Sequence, residues 1–422
     1  MMEKIYTVAI LGIGARGGDT YGRIINDSAK DRFKIVALCD LRKERLDRFG
    51  EKFGVSIENR FTDEKEFFNK KRADLLIIGT QDKDHFRHAI KGFETGYNIM
   101  VEKPLTDSRD ECLKLLKKQK QVNKKALVCH VLRYAPAFLK VKELLDKGEI
   151  GKTIAIEALE RVAYWHQAHS YVRGNWRNRK QSSPMILAKC CHDLDLLQYY
   201  AESKCKSVSS VGDLAYFTPN NAPDGCADRC LDCKYKDTCV YSAKKIYIDK
   251  WYKQDCPTDI WPYNIITTAP ATEDKILDAI QNGPYGRCVY RCDNDVVDHQ
   301  ITQMTFENGI KATLTMTAFT AEGGRRINFH GTKGEIILDE ELEVIYLKKF
   351  GEKQQVIELD KLNDQGYGHG GGDFFLIENL YQMMEGKANS VTSLEASVES
   401  HLIGVCAEKS RLEGGKLIYV HE

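Results

Sequence analysis

The sequence lacks the features that would indicate a membrane, a nucleic-acid partner or export. Its 62 Lys and Arg residues balance 61 Asp and Glu residues, and the net charge of +1 gives no electrostatic basis for binding nucleic acid or an anionic membrane. No stretch approaches the roughly 18 consecutive apolar residues of a membrane-spanning helix. The apolar start, MMEKIYTVAILGIG, leads into a glycine-rich turn and not into a small-residue cleavage site. We therefore expect a cytoplasmic protein with neither nucleic acid nor membrane as a partner.

Internal repeats and low-complexity tracts are also absent. At 422 residues the chain exceeds the roughly 250–300 residues that one hydrophobic core usually serves, so we expect two domains. Fourteen cysteines, in contrast, is a high count. Because no export signal accompanies them, the sequence favours reduced thiols or metal ligands over disulfides.

The first 130 residues alternate short β-rich runs with charged amphipathic stretches. The predicted strands are Ile5–Leu11, Phe33–Leu38, Ala73–Ile78, Tyr97–Val101 and Ala126–Cys129. Alternation of this kind is typical of βαβ units with right-handed crossovers. We therefore predict an α/β protein whose residues 1–130 form a Rossmann domain, a doubly wound parallel sheet that binds a dinucleotide.

After residue 130 strands follow one another with little between them, which predicts a mainly antiparallel, open sheet. The predicted strands are Thr153–Glu160, Ser207–Phe217, Gln300–Phe306, Ile310–Phe319, Arg326–Phe329, Glu335–Leu338 and Glu343–Leu347. Residues 131–422 are thus predicted to form an α+β domain, for which the resemblance given below implies substrate binding and oligomerisation. Within it, residues 218–295 are rich in cysteine, proline and aromatics and show no clear period, so we interpret them as an insertion of recognition loops.

A dinucleotide-binding motif follows the first predicted strand. Gly12-Ile13-Gly14-Ala15-Arg16-Gly17 is a G-x-G-x-x-G that opens a helix, and Asp40 ends the second strand twenty-three residues beyond Gly17. A carboxylate at that point accepts hydrogen bonds from the adenosine ribose and repels a 2′-phosphate, which favours NAD over NADP. Arg42 qualifies this prediction, since a nearby arginine accommodates that phosphate.

Several further motifs accompany the glycines. They are TQDKDH near residue 80, VEKP near residue 102, HVLRYAP at 130–136, CHDLD at 191–195 and INFHGTKGEIIL at 327–338. With GIGARG, this combination resembles the Gfo/Idh/MocA family of sugar and cyclitol oxidoreductases over most of the chain. The resemblance implies a hydride transfer between nicotinamide and a secondary hydroxyl.

The resemblance also implies roles for individual residues. Lys103 matches the family lysine that holds the substrate hydroxyl and helps move its proton, and His192 matches the family acid/base histidine. Asp195, on the same helical face, is expected to orient or charge-couple that histidine. The family usually carries an aspartate four residues before the histidine, whereas this chain has Ala188 there and Lys189 beside it, so Lys189 joins the catalytic candidates. The structural alternatives are a satisfied helical histidine and a surface ion pair between Lys103 and Glu102.

The candidate binding residues flank these motifs, at the carboxyl ends of the predicted parallel strands. The cofactor-binding candidates are Gly12, Ile13, Gly14, Ala15, Arg16, Gly17, Asp40, Leu41, Arg42, Thr80, Gln81, His85, Glu102, Lys103 and Arg133. The substrate-binding candidates are Lys103, His130, Tyr134, Trp176, Lys189, His192 and His369. For Trp176, stacking on a sugar ring and ordinary packing are equally compatible with the sequence.

Four cysteines lie within fourteen residues of the insertion, as Cys226, Cys230, Cys233 and Cys239. Four thiolates in a loop without a core of its own predict a structural zinc site. Free thiols, an iron–sulfur cluster and a disulfide are the alternatives, since the spacing is not a pair of C-x2-C knuckles.

The sequence thus predicts an NAD-dependent dehydrogenase acting on a small-molecule sugar, sugar acid, cyclitol or glycoside. Two alternatives follow from the family. Some relatives oxidise a sugar transiently with bound NAD so that a glycosidic bond is eliminated, and then re-reduce it. Others are non-catalytic regulators that sense a cofactor. By analogy with the family, we also expect a homodimer or homotetramer assembled through the exposed face of the second sheet.

Overall fold

A computed structural model of the protein describes residues 4–362 and 368–422. Its first sheet is parallel throughout, with the order β3-β2-β1-β4-β5-β6, which confirms the predicted Rossmann architecture. The strands are β1 (Tyr6–Leu11), β2 (Phe33–Cys39), β3 (Arg60–Phe61), β4 (Leu75–Ile78), β5 (Asn98–Val101) and β6 (Ala126–Val128). The two-residue edge strand β3 was not predicted, because so short a run carries no alternation.

Helices cover both faces of this sheet, as the strands' continuous apolar runs require. They are α1 (Arg23–Ser28), α2 (Lys43–Phe53), α3 (Glu64–Phe67), α4 (Asp82–Thr95) and α5 (Arg109–Val122), and a π-helical turn, Ala15–Gly22, precedes α1. The helix α5 begins at Ser108, whose side chain accepts a hydrogen bond from the Glu111 amide. The helix α4 ends at Gly96, where φ is +90°, a conformation that favours glycine.

The second sheet has nine strands in the order β14-β13-β12-β11-β7-β10-β9-β8-β15. They are β7 (Thr153–Arg161), β8 (Cys205–Asp213), β9 (His299–Phe306), β10 (Lys311–Thr317), β11 (Gly324–Gly331), β12 (Gly334–Asp339), β13 (Val344–Lys349), β14 (Gln355–Glu358) and β15 (Ile418–Tyr419). Only β7 and β10 pair in parallel, so the predicted mainly antiparallel sheet is confirmed. The strand β8 ends at Asp213, earlier than the predicted Phe217.

The remaining helices flank the second sheet, form part of the insertion or return to the first domain. They are α6 (Pro136–Asp146), α7 (Tyr164–His166), α8 (Met185–Ala188), α9 (Cys191–Ala201), α10 (Lys250–Lys253), α11 (Tyr263–Ile266), α12 (Glu273–Asn282), α13 (Gly372–Glu385) and α14 (Leu394–Leu412). The Val128 amide of β6 donates to the Thr392 carbonyl just before α14. The chain therefore closes across the Rossmann domain and fixes the cleft between the domains. No helix in the described ranges is long and apolar enough to cross a membrane.

The insertion at 218–295 differs from the predicted loops. It contains α10, α11 and α12, and it encloses a hydrophobic cluster of its own in which Tyr247, Tyr263, Ile276 and Ile280 are fully buried. The helical period was hidden because these helices are short and separated by proline- and cysteine-bearing turns. The insertion therefore contributes most of the side chains of an apolar cluster.

Candidate active site

The glycine-rich turn lies at the carboxyl edge of the first sheet. Its backbone is not covered by side chains there. Gly12 has φ of +83°, and a Cβ there would lie 2.6 Å from the Gly79 backbone. A Cβ on Gly17 would lie 2.0 Å from the Gly12 carbonyl oxygen. Both positions accept only glycine, and the amides at the start of the following helix are left to face a pyrophosphate. The turn therefore fits a dinucleotide.

Asp40 is buried at the end of β2 and holds the two loops that surround the adenosine position. One carboxylate oxygen accepts from the Ile13 amide at 2.9 Å and the other from the Arg42 amide at 2.9 Å. The Arg42 side chain forms an ion pair with Glu44 (Nε to Oε1, 2.9 Å), and Leu41 is 90% exposed. Sequence analysis missed Arg45, which lies close to Gly14: a Cβ built on Gly14 would be 3.3 Å from Arg45 Nη1. A single arginine in the first turn of a helix belongs to no motif.

Three charged side chains and His369 join the glycine turn to the second domain. Arg16 Nε lies 2.7 Å from Glu102 Oε1 and its Nη2 lies 2.6 Å from Asp373 Oδ1, while His369 Nδ1 lies 2.9 Å from Asp373 Oδ2. Burial opposes the charged carboxylates, but the Arg16 guanidinium holds the pKa of both Glu102 and Asp373 below its usual range. Arg16 thus acts as an interdomain anchor, and it leads to His369, which is half-exposed beside His192 with ring centroids 6.2 Å apart.

Lys103 follows β5 at a cis peptide bond to Pro104. Its Nζ donates to the Ala188 carbonyl oxygen at 3.0 Å, so the lysine reaches the backbone of the position where the family usually carries its aspartate. His85, predicted to bind cofactor, instead places Nδ1 2.7 Å from the Pro104 carbonyl and Nε2 3.0 Å from the Thr80 carbonyl. His85 therefore connects the two loops, and its predicted contact with cofactor stays a prediction.

His192 lies at the start of α9 and is 8% exposed. Burial, followed by the positive charge of Lys103, lowers the pKa of His192 well below its usual value. The imidazole is therefore neutral near pH 7, the form that accepts a proton. Its Nδ1 is buried and has no hydrogen-bond partner among the described residues.

Asp195 does not contact His192 as predicted. Its carboxylate forms two hydrogen bonds with the buried Arg133 guanidinium, at 2.6 and 2.7 Å. A bidentate, charge-assisted pair is stronger than one hydrogen bond to a neutral imidazole, so Arg133 determines where the carboxylate points. The same pair occupies Arg133, which was predicted to bind cofactor and instead lies inside the second domain's junction with β6.

Lys189 belongs to a buried charge network that sequence analysis did not find. Its Nζ lies 2.9 Å from Glu160 Oε1, the other Glu160 oxygen lies 2.8 Å from Arg325, and Arg325 Nε lies 2.8 Å from Asp193. Glu160 is fully buried, so its charge requires these partners. The network brings together residues of β7, β11 and α9, which are far apart in sequence. It places the Glu160 carboxylate against the Lys189 ammonium. The predicted catalytic and substrate-binding roles of Lys189 stay predictions.

The other substrate candidates occupy different surroundings. Trp176 is partly buried and donates its indole N–H to Asp82 Oδ1 at 3.0 Å, which fixes its ring at the domain junction. Tyr134 is buried, and its hydroxyl contacts Asn379 and Thr392. Its predicted contact with substrate stays a prediction. Gln81 is the N-cap residue of α4.

An aromatic wall beside the catalytic candidates escaped sequence analysis. His166 lies 4.9 Å from Trp261 and Trp165 lies 5.1 Å from Trp261, measured between ring centroids. Lys189 and Lys103 are among the charges that act on His166, after burial, to lower its pKa well below the usual value. Trp261 comes from the insertion, and no local pattern in the sequence relates it to residues 95 positions earlier.

The four insertion cysteines do not form the predicted zinc site. Together with Cys288 they line a cavity of about 300 Å³, but no group of three or more ligating side chains in the described chain is placed to hold a metal ion. All fourteen cysteines are free thiols. Four thiols that are close in sequence thus line one cavity without forming the predicted site.

Two family models match the chain. The one described as "Oxidoreductase family, NAD-binding Rossmann fold" matches residues 6–130, and the one described as "Oxidoreductase family, C-terminal alpha/beta domain" matches residues 142–418. The chain belongs to the Gfo/Idh/MocA oxidoreductase family. It is therefore an NAD-binding oxidoreductase, and the resemblance in its motifs is confirmed.

Three similar proteins share between 16% and 30% sequence identity with this chain. The oxidoreductase YteT of Bacillus subtilis (strain 168) is 22% identical over 398 residues, 89% of this chain and 88% of that protein. The scyllo-inositol 2-dehydrogenase (NAD(+)) of the same organism is 30% identical over 211 residues, 50% of this chain and 58% of that enzyme. Levoglucosan dehydrogenase, solved with NADH and levoglucosan, shares 16% identity at a TM-score of 0.71 over 99% of this chain and 100% of that one, which shows a common fold.

Proposed function

We propose that the protein is an NAD-dependent dehydrogenase acting on a secondary hydroxyl of a sugar, sugar acid, cyclitol or glycoside. The observation that carries this proposal is the meeting of Lys103 and His192 between the two domains. Lys103 extends from β5 to the backbone of Ala188, and its charge acts on His192 four residues further along the chain. One cationic and one neutral basic side chain thus face the same cleft, beside the glycine turn.

Oxidation of a secondary alcohol removes a hydride from carbon and a proton from oxygen. When bound, the nicotinamide supplies the hydride acceptor. Neutral His192 accepts the proton, and the Lys103 ammonium holds the substrate oxygen and stabilises the negative charge that develops on it. His369, held by Asp373, lies on the other side of His192 and is positioned to bind a neighbouring hydroxyl.

The preference for NAD over NADP follows from the charges around β2. The buried Asp40 carboxylate repels a 2′-phosphate. Arg42, the residue that would accommodate that phosphate, is paired with Glu44. Arg45 lies against Gly14, where its charge suits the pyrophosphate.

A second candidate is cleavage of a glycoside with no net change in the cofactor. The insertion favours it, because Trp261 packs on the aromatic wall while Asp259 forms an ion pair with Arg48 of the Rossmann domain at 2.8 Å. A segment attached to both domains suits an enzyme that keeps its cofactor bound.

A homo-oligomer is also part of the proposal, since Ile154, Ile301 and Val356 are exposed on the second sheet.

Both candidates are tested by recording absorbance at 340 nm with NAD and a panel of sugars, sugar acids, cyclitols and aryl glycosides. Aglycone release is followed in parallel. NADH accumulation supports the dehydrogenase, and aglycone release without it supports the glycosidase. Lys103→Met is expected to lower turnover about 100-fold or more while NAD still binds. The exposed Lys83→Met is the matched control and keeps full activity. Undiminished turnover of the Lys103 variant would contradict the mechanism.

A further inference from the structure

His130 is a buried histidine whose ring nitrogens have no hydrogen-bond partner. It is 0% exposed, and neither Nδ1 nor Nε2 is satisfied within the described ranges. Buried polar side chains almost always have partners, so a histidine with two unsatisfied nitrogens requires an explanation. Its ring lies 6.0 Å from that of His192 and 5.5 Å from that of His401, edge-on to both.

Two groups near His130, among the described residues, are open to hydrogen bonding with it. His401 is already satisfied, since its Nε2 accepts from the Leu105 amide at 2.8 Å and its Nδ1 donates to the Ser397 carbonyl at 2.6 Å. Asp195 Oδ1 lies 3.8 Å from His130 Nε2. The remaining group is His192, whose buried Nδ1 also lacks a partner.

We propose that Asp195, His130 and His192 form a hydrogen-bonded relay in which His130 fixes the tautomer of His192. The Nε2–H of His130 donates to Asp195, and its Nδ1 accepts from the Nδ1–H of His192, directly or through one water. The Nε2 lone pair of His192 is then left to face the substrate. The relay couples Asp195 to His192 indirectly and takes the place of the aspartate that is absent at Ala188.

The charges around His130 favour this arrangement. Asp195, Arg133, Lys103, Glu102 and the imidazoles of His192 and His401 face it from the adjoining elements. Burial, followed by the positive charges of Arg133 and Lys103, lowers the pKa of His130 well below its usual value. His130 therefore stays neutral, with one donor and one acceptor. An imidazole ring between a carboxylate and a protonated imidazole nitrogen needs a donor for the carboxylate and an acceptor for the protonated nitrogen.

The inference rests on the proposed function, in which His192 accepts the proton, but it is testable without a substrate. Ring-nitrogen NMR of the ¹⁵N-labelled, NAD-bound protein reports the tautomer of His192, which a His192→Ala spectrum assigns. We expect a single neutral tautomer protonated at Nδ1 in the wild type. In His130→Phe, which keeps an aromatic ring between His192 and His401, we expect a mixture of tautomers. A His192 protonated mainly at Nε2 in the wild type, which needs no variant to fold, would overturn the relay.

Ser400→Ala is the matched control, because Ser400 contacts the same carboxylate (Oγ to Asp195 Oδ1, 3.4 Å) from outside the relay and is expected to leave the His192 tautomer unchanged. With a substrate from the panel, His130→Phe is expected to lower kcat about 10–100-fold and to shift the apparent pKa of kcat, with little change in KM. An unchanged tautomer in His130→Phe would overturn the inference. A changed tautomer with unchanged turnover would support the relay and contradict the role of His192 in the proposed function.

Discussion

At the scale of single residues, the histidines connect the chemistry to stability. Burial lowers the pKa of His169 and His401 to about 3, and the same cause lowers the pKa of His130 and His192. These rings stay neutral in the folded protein at a pH where the unfolded chain binds protons, with a histidine pKa of about 6.5. The unfolded state therefore binds more protons below pH 6.5, and the stability of the fold falls as the pH falls.

We expect the free energy of unfolding to decrease by about 2–3 kcal/mol between pH 7.5 and pH 5.5 from His169 and His401 together. Urea unfolding at constant ionic strength measures this dependence. His169→Phe is expected to lessen the decrease by about 1 kcal/mol, since it removes one titrating group. The control is Leu417→Ala, which removes an exposed side chain that does not titrate and leaves the slope unchanged. Equal stability at the two pH values would contradict the prediction.

At the scale of elements, the insertion connects the two domains across the cleft. Asn264 donates to Asp19 at 3.2 Å, and Arg48 contacts both Asp19 and Asp259, so the segment is attached beside the helix that begins at the glycine turn. At its middle, Trp261 packs against His166. We expect the dinucleotide to be enclosed between the Rossmann domain and the insertion.

Removing the aromatic contact is expected to speed cofactor release. Trp261→Ala loses stacking worth about 1.4 kcal/mol, which corresponds to a roughly tenfold faster dissociation of NADH. Asp259→Ala loses a half-exposed ion pair and is expected to have a smaller effect, roughly twofold. Stopped-flow fluorescence of NADH measures both rates. Tyr252→Ala, an exposed aromatic of the same insertion, is the control. A wild-type release rate in Trp261→Ala would show that the segment does not retain the cofactor.

At the scale of the whole molecule, the sequence predicted the elements that local patterns describe. The Rossmann strands, the glycine turn with Asp40 and the antiparallel second sheet all carry a period or a motif within a few residues. Short segments were harder. The helices α10 and α11 of the insertion have four residues each, less than a full amphipathic repeat, and the ten-residue α12 lies among proline- and cysteine-bearing turns.

Sequence analysis missed the contacts in which a side chain pairs with a residue from a distant part of the chain. Asp195 is placed by Arg133 and not by the histidine three residues before it. Likewise, Glu160 and Arg325 meet Lys189 from separate strands. A neighbour in sequence predicts a contact only where no stronger partner arrives from elsewhere in the fold.

The interdomain anchor at Arg16 is the strongest of these unpredicted contacts, and it gives a test of the whole cleft. Arg16→Ala leaves the buried carboxylates of Glu102 and Asp373 without their guanidinium, so we expect a loss of about 3 kcal/mol in the free energy of unfolding and weaker NAD binding. Arg16→Lys keeps the charge but not the two-sided geometry, and an intermediate loss is expected. Arg42→Ala, whose ion pair is exposed, is the control. Urea unfolding and NAD titration measure both effects, and wild-type stability in Arg16→Ala would show that the domains are held together by other contacts.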